Sequence, residues 1–543
     1  MVFRRGWWMV IDGLNPKVDG IFFSDIRLFG IEYPEGYRLE PLPREGFYVL
    51  RDGRIAAYLE RRFEVDDGLR ISHRLLTFES VDDFEPILFP SPIDLMELRG
   101  FVGSLRKEVR RVEGGYWFGM GDMEMEVEID EEKAFGDEEL VWNTYLKARI
   151  KRAPEKIEKY FRSSFDEGSS IAELSPLLVP GPFGSVPVAG LPWYAALFGR
   201  DLAVFGLQIL EIDPGMVRKI LKTLEHFQGK AVDPEKEEEP GKVIHEFRFG
   251  PSAIEYYGTV DATPLYLILA AEYHRKTGDL EFLESMKDSL KLALRWMMDY
   301  GDVDRDGLIE YETGGWLRNK GWKDSDEAVV FEDGRVAEGP IALIEVQSYA
   351  HLAYSEMTEV LERMGEIHLA EESWKKAEIL RESVRKFRIG DYFAMALDGR
   401  KERVDSVTSN PANALFGGVF DSCSASLIAD RIAKEDLLTP YGLRTMSSRM
   451  KAFHPVSYHN GSIWPHDNWF AVMGLLRYGE RDLAREIVRR MMRASEKLGG
   501  LPELFVYIDG LEDPLPYPGA CDPQLWSIGS RLAFEKLSEE VGL

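Results

Sequence analysis

From about residue 200 onward the chain alternates two kinds of helical segment. DLAVFGLQILEI is followed by MVRKILKTLEHF, TPLYLILAAEYHRKTG by LEFLESMKDSLKLALRWMMDY, EVQSYAHLAYSEMTEVLERMG by HLAEESWKKAEILRESVRKF, and DNWFAVMGLLRYG by RDLAREIVRRMMRASEKLG. In each pair the first helix is apolar nearly all round, and the second is apolar on one face. A helix without a polar face must be covered on every side, and an amphipathic mate supplies one of the covers. Two layers of helices follow, an inner and an outer. Weaker candidates around 411–434 and 523–538 bring the total to roughly twelve helices, which predicts a mainly α fold closed into an (α/α)6 toroid of six hairpins. No short-period repeat is visible, which disfavours an open superhelix.

Residues 1–135 have another texture. Segments such as GIFFSDIRLFG, FYVLRDGRIAAYLERRFEV and MEMEVEID alternate polar and apolar residues between Gly, Asp and Pro, and predict an N-terminal antiparallel β-sandwich. Residues 136–165 carry apolar residues amid dense charge, broken by Pro154, and are expected to form a linker helix. The helical domain is then expected to span 166–543.

Composition narrows the partners. A chain of 543 residues is long enough for two domains and a large core. Its net charge of −27 disfavours nucleic acids and anionic membranes, both of which are bound through clustered Lys and Arg. The apolar runs are too short to span a bilayer, and the opening MVFRRGWWMVID is interrupted by Asp12 before a signal core could form. Two cysteines, Cys423 and Cys521, make neither a disulfide framework nor a zinc cluster. These features predict a soluble, cytoplasmic protein. Only four glutamines among 30% charged residues suggest a thermophilic source.

Long loops rich in Gly and aromatic residues separate the helix pairs, at 179–201, 237–264 and 311–327. Structureless loops of this length inside a compact domain usually carry function. These and similar loops would bring together Trp193, Arg200, Asp201, His245, Glu246, Tyr256, Tyr257, Asp261, Trp316, Trp322, Lys323, Asp324, His459, Trp464, His466, Asp467 and Glu503. Aromatic faces suit the apolar faces of pyranoses, and paired charges suit their hydroxyls, so the set points to a sugar site. No metal or cofactor is expected, because no His pair has helix-borne ligand spacing. The run 302-DVDRDGLIEYET-313 has acids at calcium-loop positions 1, 3 and 5, but Thr313 stands where a bidentate Glu is needed, which leaves a tight Asp-Gly turn as the simpler interpretation.

The motifs LFGRD (197–201), GKVIHEFRFG (241–250), YYGTVDATPL (256–265), NKGWKDS (319–325), IEVQSYAHLA (344–353), YHNGSIWPHDN (458–468), GLPELF (500–505) and YPGACDPQLW (517–526) resemble the glucosidase half of glycogen debranching enzymes. More broadly they resemble the six-hairpin toroid glycosidases that include glucoamylases and trehalases. DGIFFSDIRLFG and FPSPIDLMELRGF resemble the β domain of stand-alone prokaryotic members. The resemblance covers nearly the whole chain. It implies an inverting α-glucosidase acting on α-1,6 links, with Asp324 as general acid and Glu503 as general base. Asp326 is then a solvated neighbour, and Glu246 the rival carboxylate.

Arg200 and Asp201 match the pair that grips the terminal glucose; alternatively Asp201 caps a helix at Leu202 while Arg200 meets a surface acid. Tyr257 and Asp261 would line the same pocket, or Asp261 would cap the next helix. His459, Trp464 and Trp322 would supply an imidazole and stacking faces, with a structural role as the alternative for His459 and Trp464. Substrates left open include trehalose, glucosylglycerate and mannosylglycerate. A disaccharide phosphorylase and a silent glycan-binding module are the rival classes, and the oligomeric state is undetermined.

Overall fold

The structure is a computed structural model. It describes ten strands within residues 2–152 and, apart from 180–181, 192–193, 195, 249–253 and 518, residues 171–541. The chain divides into two compact units, one of Met1–Ala196, Arg248–Ile254 and Pro516–Gln524, the other of Leu197–Phe247, Glu255–Leu515 and Leu525–Leu543.

In the first unit, β1 (Val2–Arg5) pairs with β2 (Trp8–Ile11). The strands β3 (Gly20–Ile21), β4 (Arg44–Arg51), β5 (Arg54–Val65), β6 (Leu69–Thr77), β7 (Glu108–Val112), β8 (Gly115–Met120), β9 (Met123–Phe135) and β10 (Glu139–Arg152) form one sheet ordered β3-β4-β5-β6-β10-β9-β8-β7. The strands are as expected, whereas their packing into a sandwich lies outside the described residues. The linker helix is not. Over Glu139–Arg152 the chain is strand, and 153–165 lie outside the described residues. The reason is a period of two: Leu140, Trp142, Leu146, Ala148 and Ile150 alternate with Asn143, Lys147 and Arg149. The register sets Lys147 opposite Glu128 and Arg149 opposite Glu126.

The second unit holds the helices α1 (Gly199–Ile209), α2 (Pro214–His226), α3 (Ala262–Thr277), α4 (Leu280–Glu284), α5 (Lys287–Asp299), α6 (Ile344–Arg363), α7 (Ile367–Ser383), α8 (Asn410–Ala414), α9 (Ser422–Ile432), α10 (Pro465–Arg477), α11 (Arg481–Leu498) and α12 (Leu525–Val541). Among these α1, α3, α6, α8, α10 and α12 each pack on the next, and α12 packs back on α1. Their mates α2, α5, α7, α9 and α11 lie against them. Burial follows the sequence pattern. Every residue from Ala262 to Ala271 of α3 is buried, whereas α11 buries a single face of Ala484, Ile487, Val488, Met491 and Ala494. Where the circuit closes, a side chain at Gly529 of α12 would collide with Phe205 and Gln208 of α1, and Gln208 Nε2 donates to Ser530 Oγ at 2.9 Å. None of the described helices is long and apolar enough to cross a membrane.

Candidate active site

The polar residues of interest sit in the first turns of the inner helices. Arg200 is the second residue of α1, Asp261 immediately precedes α3, Glu345 is second in α6, Asn410 opens α8, and His466 and Asp467 follow Pro465 at the start of α10. Helix N-termini carry partial positive charge and unsatisfied N–H groups, so acids are favoured there.

Arg200 and Asp261, both buried, join α1 to α3: Arg200 Nε donates to Asp261 Oδ2 at 2.8 Å, and Thr259 Oγ1 donates to Asp261 Oδ1 at 2.8 Å. Asp261 therefore does not cap α3 through its side chain. Nor does Arg200 pair with a surface acid. Asp201 is not a cap either, since α1 begins at Gly199. Burial pushes the Asp201 carboxyl well above its ordinary range; Arg200 opposes this, while the charges of Glu503 and Asp324 push the same way. Asp324 and Asp201 likewise help to hold the Arg200 guanidinium charged. These residues thus share one electrostatic neighbourhood, although their loops are far apart in sequence.

Asp324 is half-buried and Asp326 exposed. The turn that carries Asp324 is fixed on both sides. Lys323, fully inside, donates from Nζ to Asn410 Oδ1 and to the Thr445 carbonyl, both at 2.8 Å. Ser325 N–H donates to His459 Nδ1 at 3.3 Å and Ser325 Oγ lies 2.7 Å from the same nitrogen, which makes Nδ1 an acceptor and puts the ring proton on Nε2. Asn319 Nδ2 donates to the Ser325 carbonyl at 2.7 Å, and Asn460 Nδ2 to that of Glu327 at 2.9 Å. Such fixing holds a reacting group within the tolerance that chemistry demands.

Behind this turn lies a polar network that sequence reasoning did not assemble. Asn410 Nδ2 donates to Glu345 Oε1 at 2.8 Å, and Asp467 Oδ1 accepts from Ser409 Oγ at 3.0 Å and Asn413 Nδ2 at 2.7 Å. Burial lowers the Lys323 pKa while Asp467 and Glu345 hold it up, and burial raises that of Glu345. Lys323→Met is expected to lower the melting temperature and to reduce kcat more than it raises KM. It unties the turn bearing Asp324 and leaves Asn410 Oδ1 short of a donor, at about 1–3 kcal/mol, while the Thr445 carbonyl keeps the Ser409 N–H. Thermal melts and steady-state kinetics check this.

Glu503, buried, precedes a short strand whose Phe505 bonds Ile463 in both directions, which sets the PELF segment beside the segment leading into α10. Its Oε1 accepts the Tyr458 hydroxyl at 2.5 Å. Trp464 donates its indole N–H to the Tyr458 carbonyl at 2.9 Å and stacks on His459 with centroids 5.4 Å apart. Trp322 stands edge-on to His459, Trp464 and His466. His466 stacks on Trp526 of α12 at 3.8 Å, and neither of its ring nitrogens has a hydrogen-bond partner among the described residues. Burial holds this imidazole neutral, reinforced by Arg200 and Lys323.

Tyr257 is buried, and its hydroxyl donates to the Phe227 carbonyl at 3.0 Å. Glu246 is buried on the strand Glu246–Arg248. In the acidic loop, Asp302, Asp304 and Asp306 bring ligand oxygens within 4.8 Å of one another. The Lys401 ammonium lies 2.8 Å from Asp304 and 3.2 Å from Asp306 and also bonds Glu310. A cavity of about 610 Å³ lined by Arg449, Arg489, Arg490, Arg493, Tyr507 and Asp509 contains none of the candidate residues. Its Arg489 and Arg490 are committed to Glu486.

Two carboxyl groups on fixed segments, a buried Arg-Asp pair and a cage of indoles are the equipment of a glycoside hydrolase. The model of the mannosylglycerate hydrolase MGH1-like glycoside hydrolase domain matches residues 214–510, and the chain belongs to that family. No curated protein sequence matches it. Among solved structures, the GH63 mannosylglycerate hydrolase from Thermus thermophilus in complex with Tris is similar at 16% identity and TM-score 0.52, covering 65% of this chain and 96% of that one. The same enzyme with Tris and D-glycerate gives 15% and 0.53, covering 64% and 96%, and with glucose 17% and 0.52, covering 64% and 95%. At such identities the likeness concerns the fold.

Proposed function

We propose that the protein is an inverting, exo-acting hydrolase that releases glucose from α-glucosides, α-1,6-linked ones first, and that the closed circuit of helices is the inner ring of an (α/α)6 toroid. What supports this most is the buried Arg200–Asp261 pair, 2.8 Å apart, beside Asp201, whose carboxyl is pushed up by burial and by the charges of Glu503 and Asp324. Asp324 protonates the leaving oxygen from its clamped turn. Glu503, oriented by the Tyr458 phenol, activates a water on the opposite ring face. Arg200, Asp201 and Asp261 hold the terminal hydroxyls, and Trp322 and Trp464 shape the walls around the ring. His459 steadies the acid's turn through Ser325. The Gln-poor, charge-rich composition supports a heat-adapted enzyme.

A second reading, hydrolysis of mannosylglycerate or glucosylglycerate, is favoured by the family description. Sugar release from isomaltose, panose, maltose, trehalose, glucosylglycerate and mannosylglycerate, with and without phosphate, separates the alternatives. Free glucose from isomaltose or panose without phosphate is the expected result. Sugar 1-phosphate would instead identify a phosphorylase, and activity confined to the glycerates would replace the first substrate by the second.

A further inference from the structure

Trp316 is 46% exposed and belongs to the same loop as Asp324. Exposure alone means little, since Trp374 on α7 is 56% exposed. Trp316 differs in what lies beneath it. Its ring stacks on Tyr256, with centroids 4.9 Å apart and planes 14° from parallel, and Tyr256 is buried. The Tyr256 hydroxyl accepts from Leu317 N–H at 3.3 Å and donates to Glu237 Oε1 at 2.9 Å, and Glu237 is ion-paired with Lys320. Gly315 has φ +83° and stands against Glu237, where any side chain would collide. Glu237 itself has φ +55°, a conformation that costs about 1–3 kcal/mol outside glycine. One face of the indole is thus backed by a rigid base and the other is turned to solvent.

The segment's course gives that face a direction. Residues 317–320 run beside 256–260, tied by Leu317 to Tyr256 and by Val260 N–H to the Lys320 carbonyl at 2.9 Å. Burial increases along it, from exposed Trp316 through half-buried Leu317 and Arg318 to buried Asn319–Lys323, and Asp324 follows at once. A general acid stands on the side of the bond from which the leaving group departs. Trp316 stands at the exposed end of the segment that leads to Asp324, and its assignment to the leaving-group side rests on Asp324 being that acid.

We propose that the open face of Trp316 is an aglycone subsite, a stacking platform for a second pyranose ring, which makes the preferred substrate an oligosaccharide rather than a glycoside of a small anion. Pyranoses present apolar C–H faces to indoles; glycerate has no ring and carries a carboxylate. Lys320 is already ion-paired with Glu237, whereas Arg318 donates to the Ala337 carbonyl and its Nε has no partner among the described residues. The Lys320–Glu237 pair, which also braces Tyr256, suits the platform's rigidity better than the capture of an anion.

Trp316→Ala and Trp316→Tyr, compared with the wild type on panose, isomaltose, glucosylglycerate and α-glucosyl fluoride, test this. For Trp316→Ala the loss in kcat/KM on the two oligosaccharides should exceed that on the fluoride by about tenfold, mostly through KM, and Trp316→Tyr should recover most of it. Calorimetry of panose binding to Asp324→Asn, with and without Trp316→Ala, makes the same comparison without turnover. Equal losses on all substrates, no loss, or a larger loss on glucosylglycerate would overturn the subsite while leaving the hydrolase in place. A wild type that released no glucose from any of them would overturn the function itself, and the subsite with it.

Discussion

Asp324→Asn is expected to lose about 10²- to 10⁴-fold in turnover of oligosaccharides, the usual contribution of a positioned proton donor, while keeping most of its rate on α-glucosyl fluoride. The substitution changes little but the proton. Lys323, Ser325, Asn319 and Asn460 hold the turn through contacts that do not involve the Asp324 side chain, so an amide should take the carboxyl's place without moving the chain. A sugar alkoxide leaves only with a proton, whereas fluoride needs little help. Parallel kinetics on the two substrates read the split directly. An Asp324→Asn enzyme fully active on oligosaccharides would move the acid elsewhere, with Glu246 the next candidate.

Glu503→Gln should instead fail on both substrates, again by about 10²- to 10⁴-fold, because water must be activated whatever the leaving group. The amide can still meet the Tyr458 hydroxyl, so a folded, inactive protein is expected. A second readout belongs to the same base. Attack from the face opposite the leaving group gives the β-anomer from an α-glucoside, visible by NMR before mutarotation erases it. A first-formed α-anomer would indicate retention and assign Glu503 a different task. Two carboxyl groups about 6.5–9.5 Å apart are what inversion requires, against about 5–5.5 Å for retention.

Some of this was legible in the linear order of residues and some was not. Helix pairs were readable because an all-apolar helix such as α3 and a one-faced helix such as α11 leave different periodicities, and those follow from burial itself. Strand β10 was misread because dense charge obscured its period of two, and its partner β9 becomes visible only in the sheet register. At the site, the Arg200–Asp261 pair could be named but not joined. Sequence offered Asp261 as a helix cap, and only packing of α1 on α3 turns its carboxylate towards Arg200. Lys323 reaches into the protein, to Asn410. Glu345 and Asn410 gave no local signal beyond a polar residue opening an apolar helix. That regularity, shared by Arg200 and His466, is visible once several such helices are aligned at their starts.

The closure of α12 onto α1 has a consequence for how the protein comes into being. Helix α1 cannot bury its last flank, and Trp526 cannot reach His466, until Leu525–Val541 has been synthesised and has folded back across more than three hundred residues. Contacts of such long range are slow to form and leave apolar surface open in the meantime. A chain in which α12 has yet to dock is therefore expected to leave an apolar edge along α1 open to other chains, so that α12 acts as a seal on the circuit of helices.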